Sequence, residues 1–266
     1  MTLVSNQGRL LLALAAVLLT AVCRAGTLEQ VLERGTLRVG VALFVPWAMK
    51  GQDGKLRGFE IDVANQLAAD MGVKPQINLF EWDKLLPALE QDKIDIIAAG
   101  MGITPGRALR ANFSVPYATS GISMATNLPR TKNIKKLEEL NQAGTIVAVV
   151  AGTVSEKLAN KLFDKTTIKA FVTSEEASQA VIKGDVHAYV ESTPIPRFIA
   201  LDHPNVVDVP VSKPLLIYKA AFAIHKGDAD FVNFLNAWVV AREADTWLST
   251  THEYWFDSLQ WREKTR

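Results

Sequence analysis

The sequence predicts an α/β protein built on parallel β-sheets and divided into two lobes of similar build. Two observations lead to this fold class. Short apolar runs typical of buried strands alternate with amphipathic helical segments, a pattern that favours parallel sheets covered by helices. The alternation spans residues 37–99 and starts again near residue 145, although no repeat at a fixed period links the two parts.

The first strand is predicted over residues 37–43, where every residue is apolar or glycine apart from Arg38. A helix over 59–71 follows, because apolar residues recur on one face and Gly72 stands where a helix usually ends. The other predicted elements of this half are a strand over 77–80, a helix over 82–91 and a strand over 94–99.

The second half repeats the pattern with segments of similar length. Its predicted elements are strands over 145–150, 168–172 and 188–190, and helices over 155–163 and 174–183. Two helical segments, 228–241 and 244–250, then follow. Three tryptophans of this last region are predicted to pack in the core: Trp238, Trp247 and Trp255.

The first 25 residues have the features of an export signal. Arg9 precedes an apolar run over 10–22, and cleavage is predicted after Ala25, so the expected location is the periplasm. The apolar run is short for a membrane span. The only cysteine, Cys23, lies in this segment, which leaves lipid attachment open as an alternative and predicts a mature chain without disulfides.

The charge balance excludes a nucleic-acid-binding surface. The chain has 29 basic and 28 acidic residues, and loss of Arg9 and Arg24 with the signal leaves 27 and 28, a net charge of about −1. No strong cluster of Lys and Arg accompanies this balance. The four histidines show no metal-ligand spacing, so no metal or other cofactor is predicted.

The most informative stretch is residues 95–107, where a buried strand ends near Gly100 and Gly102. Glycines at this point allow the backbone to approach a ligand closely. Thr104 followed by proline predicts a helix start that places Arg107 in the first turn. A guanidinium there is a good carboxylate receptor, although an exposed surface charge is the alternative interpretation of Arg107. The glycine spacing does not match a dinucleotide-binding fingerprint.

A second receptor is predicted in the later half, after the strand that ends at Val150. Thr153 and Glu156 have capping-box spacing, which predicts a helix start with backbone donors around Thr153 and Val154. Two lobes could then hold one anionic group from both sides. An ordinary helix start without a ligand explains this segment equally well.

Several motifs follow one another along nearly the whole chain after the signal segment. They are, in order, residues 58–64, Trp82 with 86–89, and residues 95–107, 113–117, 152–153, 191–194 and 255–256. As an ordered set they resemble the polar-amino-acid family of extracytoplasmic solute-binding proteins of ABC importers, family 3. The set is specific, whereas each motif alone is weak.

The resemblance implies a two-lobed periplasmic-binding-protein fold with two crossing hinge strands, near 117–121 and 217–221, that closes over its ligand. The first lobe would comprise residues 26–118 and 219–266, and the second residues 119–218. The implied partners are a small-molecule ligand, in the first place an amino acid, and an ABC permease. The protein itself would be a monomer that binds its ligand without acting as an enzyme.

By position, the resemblance also implies roles for single residues. Arg107 would pair with the ligand α-carboxylate, helped by backbone groups of Gly102 and Val154. The backbone at Gly100 and the carboxylate of Glu191 would receive the α-ammonium. Two aromatic residues of the first lobe would pack on the ligand side chain: Phe44 and Trp82.

Four positions depart from the usual family pattern. Gly102 stands where serine or threonine commonly supplies a hydroxyl, and Glu191 stands where aspartate is usual. Val41 and Val150 occupy positions where some members have polar groups. These changes favour a ligand with a less polar side chain, or one that is not a standard α-amino acid.

Two other functions stay open. Proteins that resemble this one include cyclohexadienyl dehydratases, and Glu191 facing Arg107 could act on a bound carboxylic acid, which turnover of prephenate or arogenate would reveal. A ligand-sensing partner of a membrane receptor would use the same pocket, and gene neighbourhood would separate it from a transporter component. Glu60 and Asp62 are predicted to be helix-face charges and not acid–base groups.

Overall fold

The computed structural model describes residues 26–134, 136–258 and 261–262 and has the two-lobed α/β fold predicted from the sequence. Each lobe contains one large β-sheet with helices packed against it. The predicted export signal lies outside the described residues. Within these ranges, no helix combines the length and the apolar character that crossing a membrane requires.

The first part of the chain forms most of the first lobe. Its elements are α1 (Thr27–Arg34), β1 (Thr36–Val41), β2 (Met49–Lys50), β3 (Leu56–Arg57), α2 (Phe59–Asp70), β4 (Lys74–Leu79), a 3-10 turn (Trp82–Lys84) that continues into α3 (Leu85–Glu90), β5 (Ile96–Ile97), α4 (Pro105–Ala108) and β6 (Asn112–Phe113). Every helix and strand predicted in this part is therefore present, with shifted ends.

The rest of the chain forms the second lobe and then returns to the first. Its elements are β7 (Ala118–Asn127), α5 (Leu128–Thr131), a 3-10 turn (Leu137–Leu140), β8 (Ile146–Val150), α6 (Val154–Leu162), β9 (Thr167–Phe171), α7 (Ser174–Lys183), β10 (Ala188–Ser192), α8 (Ile195–Asp202), β11 (Val207–Asp208), β12 (Leu216–Ala220), β13 (Ala223–Ile224), α9 (Ala229–Ala244) and α10 (Trp247–Phe256).

The first sheet has the strand order β4-β1-β5-β13-β6. β1 runs parallel to both β4 and β5, with Val39 in register with Ile77 on one side and Ile96 on the other, as expected for strands joined by helical crossovers. The predicted parallel pairing is therefore present, and one antiparallel strand is added to it. This strand, β13, comes back from the far end of the chain and lies antiparallel between β5 and β6.

The second sheet has the strand order β11-β7-β10-β8-β9, and β12 also pairs with β7. β8 is parallel to β9 and β10, whereas β7 is antiparallel to β10. The predicted strands of this lobe therefore form its parallel part. The carboxyl ends of β8 and β10 lie at the same edge, where ligands commonly bind to such sheets.

Two strands carry the chain between the lobes. β7 and β12 pair antiparallel, from Ala118 opposite Ala220 to Ile122 opposite Leu216. They coincide with the two crossing strands implied by the resemblance. The lobe limits, at 118/119 and 218/219, fall within these strands and stay a prediction.

The end of the described chain contacts both lobes. Trp261 is buried in the core of the first lobe, and its ring lies 5.7 Å from the ring of Phe198 on α8 of the second lobe. Arg262 forms an ion pair with Asp202 on the same helix, and its guanidinium stacks over Phe198. This segment is a connection between the lobes in addition to the two crossing strands.

A buried carboxylate anchors the strand that leads into the 95–107 stretch. Asp95 precedes β5, and its side chain is only 1% exposed. It accepts hydrogen bonds from Arg34 Nη2 at 2.5 Å, from Arg38 Nη2 at 2.6 Å and from the backbone N–H of Arg38 at 2.7 Å. Asp95 therefore holds α1, β1 and β5 together.

Candidate ligand-binding site

A cavity of about 440 Å³ lies between the two lobes. Strands of both sheets end beside it, as expected for ligand sites in open α/β sheets. All eight residues that the sequence analysis assigned to ligand binding line this cavity: Phe44, Trp82, Gly100, Gly102, Arg107, Thr153, Val154 and Glu191. The fold thus brings together side chains that are far apart in the sequence, around a volume typical of small-molecule sites.

Arg107 is buried in the cavity wall, with 6% of its surface exposed, so the interpretation as an exposed surface charge is wrong. The predicted helix start is present. α4 begins at Pro105, and the Thr104 hydroxyl accepts a hydrogen bond from the backbone N–H of Arg107 at 3.3 Å. The cap places the guanidinium on the side of the cavity.

The guanidinium of Arg107 connects the two lobes. It donates to the carbonyl oxygen of Gly102 at 2.8 Å and to that of Gly152, in the second lobe, at 3.0 Å. The Gly152 oxygen also accepts from Trp82 Nε1 at 3.2 Å, and the Trp82 ring lies 5.4 Å from Arg107 Cζ. Burial lowers the pKa of Arg107 to about 10, so it stays protonated at neutral pH. No carboxylate of the described chain forms an ion pair with it, so its positive charge is available to pair with an anion.

Glu191 reaches the cavity from the second lobe and is 1% exposed. Its Oε1 accepts from the Ser155 hydroxyl at 3.1 Å and from the backbone N–H of Ser192 at 2.7 Å, and its Oε2 accepts from the Tyr189 hydroxyl at 2.8 Å. Burial raises the pKa of Glu191, and these hydrogen bonds oppose the rise. Among the described residues no cation pairs with it, so this carboxylate suits a ligand cation.

The two glycines of the 95–107 stretch are required by crowding. Gly100 has a positive φ of 63°, and a Cβ there would lie 2.8 Å from the Trp47 ring. A Cβ at Gly102 would lie 2.9 Å from a ring carbon of Tyr218 and 3.2 Å from a methyl of Val154. Tyr218 and Val154 thus fill the space of a serine or threonine side chain, which explains the departure from the family pattern at Gly102.

The predicted helix start of the second lobe is present, but Glu156 accepts its hydrogen bond from a different backbone N–H than a capping box requires. The Thr153 hydroxyl accepts from the backbone N–H of Glu156 at 3.1 Å and donates to the Val150 carbonyl at 2.7 Å. Glu156 accepts from the backbone N–H of Gly152 at 2.8 Å, one residue earlier than in a capping box. Because this cap engages the Thr153 hydroxyl, ligand contacts here would come from backbone groups.

Two aromatic side chains, Phe44 and Trp82, complete the wall on the side of the first lobe. Phe44 is fixed by two backbone hydrogen bonds with Ala48, of 2.8 and 2.9 Å. Both aromatic side chains are only half-buried, so they keep apolar surface available to a ligand.

Other residues that line the cavity were not predicted from the sequence. Tyr218 projects from the second crossing strand, and its hydroxyl donates to Ser192 Oγ at 3.0 Å. Glu81 and Glu175 are exposed residues at the rim of the cavity, where the sequence alone shows ordinary surface charges. Among the described lining residues, the charged groups are one cation and three carboxylates: Arg107, Glu81, Glu175 and Glu191.

The prediction that Glu60 is a helix-face charge is wrong. Glu60 is fully buried behind the cavity wall, where its Oε1 accepts from the backbone N–H of Gly100 at 2.5 Å. Asp62 is half-buried and accepts from Trp255 Nε1 at 2.7 Å. The helix pattern gave no sign of the burial of Glu60, because its partner lies 40 residues away.

Residues 37–258 match the model of the bacterial extracellular solute-binding proteins, family 3. The match spans both lobes and every residue of the cavity wall. The chain belongs to this family. The resemblance drawn from the sequence motifs is therefore confirmed, and the protein is a periplasmic member of the family.

Relatives of this family-3 protein include a binding protein and an enzyme. The L-cystine-binding protein TcyJ of Escherichia coli is 28% identical over 235 residues, which cover 87% of this chain and 86% of the relative. The cyclohexadienyl dehydratase of Pseudomonas aeruginosa is 26% identical over 249 residues, which cover 92% of each chain. Both relatives span nearly the whole chain, so overall similarity does not separate binding from catalysis.

A solved structure shows the same fold. An ancestral amino acid-binding protein, described as a precursor of cyclohexadienyl dehydratase, superposes with a TM-score of 0.78 at 36% sequence identity, covering 87% of this chain and all of that one. The function of the family-3 protein must therefore be argued from the chemistry of its cavity.

Proposed function

We propose that the protein is the substrate-binding component of an amino-acid ABC importer and captures a small zwitterion by closing its lobes over it. The observation that carries this proposal is a pair of buried charges in the cavity, Arg107 from the first lobe and Glu191 from the second. Neither has an oppositely charged partner in the described chain, and leaving a buried charge unpaired costs several kcal/mol. The carboxylate and ammonium of one α-amino acid would supply both partners.

Closure would occur about β7 and β12, with residues 26–118 and 219–266 moving against residues 119–218. The lobes meet at the Gly152 carbonyl, which accepts from both Arg107 and Trp82. A carbonyl that two side chains of the other lobe reach favours the closed arrangement. A ligand that stabilised this closed arrangement would change the shape of the protein, and an importer could recognise that change.

The charges of the cavity favour an amino acid with a cationic side chain. Once the α-groups have paired with Arg107 and Glu191, the rim carboxylates Glu81 and Glu175 remain. The departures from the family pattern, Gly102 among them, predicted a less polar side chain or a ligand that is not a standard α-amino acid. Since crowding by neighbouring side chains explains that glycine, it carries no information about the ligand side chain.

A thermal-shift screen tests this proposal. We expect L-lysine or L-arginine to raise the Tm more than L-leucine or L-glutamate, since a ligand at a hundred times its Kd stabilises by about 2.7 kcal/mol. Betaines and small carboxylates complete the panel. If no zwitterion raised the Tm, the amino-acid proposal would fail, and a larger shift with L-leucine than with L-lysine would contradict the cationic class alone.

In the double variant Glu81→Gln/Glu175→Gln, the preference for L-lysine should shrink while the Tm shift with L-leucine is unaffected.

An ABC permease would be the partner of the closed form, with the binding protein acting as a monomer. The family membership supports this pairing. The sensing alternative uses the same cavity and differs in what the closed form contacts. Genes for a permease and an ATPase beside this one would support import, whereas a membrane receptor gene in their place would support sensing.

A second candidate function is favoured by the desolvated carboxyl of Glu191, which shares the cavity with an arginine that could hold a carboxylic acid. The dehydratase of Pseudomonas aeruginosa gives this candidate a precedent in the family. We nevertheless expect no turnover of prephenate or arogenate, because the other carboxylates of the described wall, Glu81 and Glu175, lie at its exposed rim and not beside Glu191. Chromatography of the reaction mixture measures this. Turnover that Glu191→Gln abolishes would establish the enzyme instead.

A further inference from the structure

We propose that Glu60 is a positioning residue of the binding site, whose carboxylate holds the Gly100 peptide in the cavity wall and ties it to Tyr117 at the start of the first crossing strand. This role deepens the proposed function and rests on it for its effect on ligand binding. Its structural basis, a hydrogen-bonded network behind the cavity, does not depend on the identity of the ligand.

The network is short and fully buried. Glu60 is the second residue of α2 and has no exposed surface. Its Oε1 accepts from the backbone N–H of Gly100 at 2.5 Å and from the Tyr117 hydroxyl at 2.7 Å. Its Oε2 is buried and has no hydrogen-bond partner within the described chain. Burying a carboxyl with one oxygen unpaired costs free energy, which the positioning role of Glu60 would offset.

On the cavity side, the network fixes the peptide before Gly100. The positive φ of Gly100 and the Trp47 ring packed against it leave this segment little space for rearrangement. The hydrogen bond to Glu60 then sets the direction in which the Gly100 N–H points. A charge on Glu60 places negative potential behind the wall at the point where the ligand ammonium is expected.

On the hinge side, the network reaches both crossing strands. Tyr117 directly precedes β7, and its backbone N–H donates to the carbonyl of Ala220, the last residue of β12, at 3.0 Å. The Tyr117 ring packs on Phe222 with 4.2 Å between ring centroids. Glu60 therefore links the cavity wall to the place where both strands leave the first lobe.

The charge state of Glu60 can be followed experimentally. Burial raises its pKa to about 7. The ionisable groups on elements packed around it, and on the facing cavity wall, are Asp62, Tyr117, Tyr218, His252, Arg107 and Glu191. Burial raises the pKa of Tyr117 and lowers that of His252, so both are neutral near pH 7. Glu191 is unchanged in the parent and in each Glu60 variant, so its own titration is common to all of them. Differences in pH dependence between these proteins therefore report on Glu60.

A pair of variants separates positioning by charge from a merely structural role. Glu60→Gln keeps an acceptor for Gly100 and Tyr117 and imitates the protonated carboxyl. With L-arginine as the probe in calorimetry, we expect Glu60→Gln to match the parent at pH 6 and to bind about fivefold to tenfold more weakly at pH 8. Glu60→Ala should bind more weakly at both pH values. Equal affinities of the parent and Glu60→Gln at pH 8 would overturn the proposal.

A ligand-free readout keeps the test independent of the proposed function. In the parent protein, the NMR amide proton of Gly100 should shift with a midpoint near pH 7, and in Glu60→Gln this shift should disappear. Tyr117→Phe removes one donor that lowers the pKa of Glu60, so it should move the midpoint to higher pH. A Gly100 signal that titrates equally in the parent and in Glu60→Gln would refute the proposal. If L-arginine fails to bind while Gly100 titrates as expected, only the ligand assignment fails.

Discussion

Replacing Arg107 by alanine is expected to weaken binding of the amino acid found in the screen by about a hundredfold or more. The guanidinium is a buried cation whose partners in the described chain are backbone carbonyls. The ligand carboxylate would therefore supply its counter-charge. In a water-excluded cleft such a charge-assisted pair is strong, and removing one partner leaves the other desolvated and unpaired. Isothermal titration calorimetry measures the loss.

Arg110→Ala is the matched control for this variant. Arg110 lies just past the end of α4 and pairs with Glu90, but it is exposed and does not line the cavity. We expect it to bind within about twofold of the parent, since exposed ion pairs contribute little. Far-UV circular dichroism should show that both variants fold. If Arg107→Ala bound the ligand as tightly as Arg110→Ala, the pairing of Arg107 with a ligand carboxylate would be wrong. A ligand without a carboxylate would then become the favoured hypothesis.

The second large effect concerns stability and not binding. We expect Asp95→Ala to lower the free energy of unfolding by about 3 kcal/mol, because its carboxylate is the buried junction of α1, β1 and β5. The value lies at the lower end for buried ion pairs, since Arg34 and Arg38 are 34% and 26% exposed and can be rehydrated. Urea unfolding followed by tryptophan fluorescence gives the difference.

Glu90→Ala tests whether burial is the cause. The Glu90–Arg110 pair is bidentate with distances of 2.7 Å, as good in geometry as the pairs of Asp95, yet both side chains are exposed. Its loss should cost less than about 1 kcal/mol. Equal losses from Asp95→Ala and Glu90→Ala would mean that the burial of Asp95 contributes nothing.

Local signals predicted most of the secondary structure. Helix α7 was predicted over 174–183 and occupies Ser174–Lys183, because a capping box at Thr173 and a left-handed Gly184 mark both of its ends. The start of α4 was found in the same way, from Thr104 and the proline that follows it. Such ends are set by residues within one turn of the helix, so the sequence displays them directly.

What the sequence did not display depends on distant parts of the chain. β13 has two residues and exists because β5 and β6 flank it, and two residues carry no periodicity. Glu60 looked like a solvated helix charge, since its burial comes from Gly100 and Tyr117, 40 and 57 residues further on. The cavity residues could be predicted only because they belong to motifs of the family. The contact between the lobes at the Gly152 carbonyl has no local sequence signal.

The position of β13 also determines the order in which the two lobes can be completed. Every strand of the second sheet comes from one stretch, residues 118–220, whereas the first sheet needs residues 223–224 to fill the gap between β5 and β6. Because the chain is synthesised from its N-terminal end, most of the first lobe emerges early, with two strand edges still open. Open edges invite pairing with other chains until they are filled. The lobe that emerges first is therefore the last to be finished.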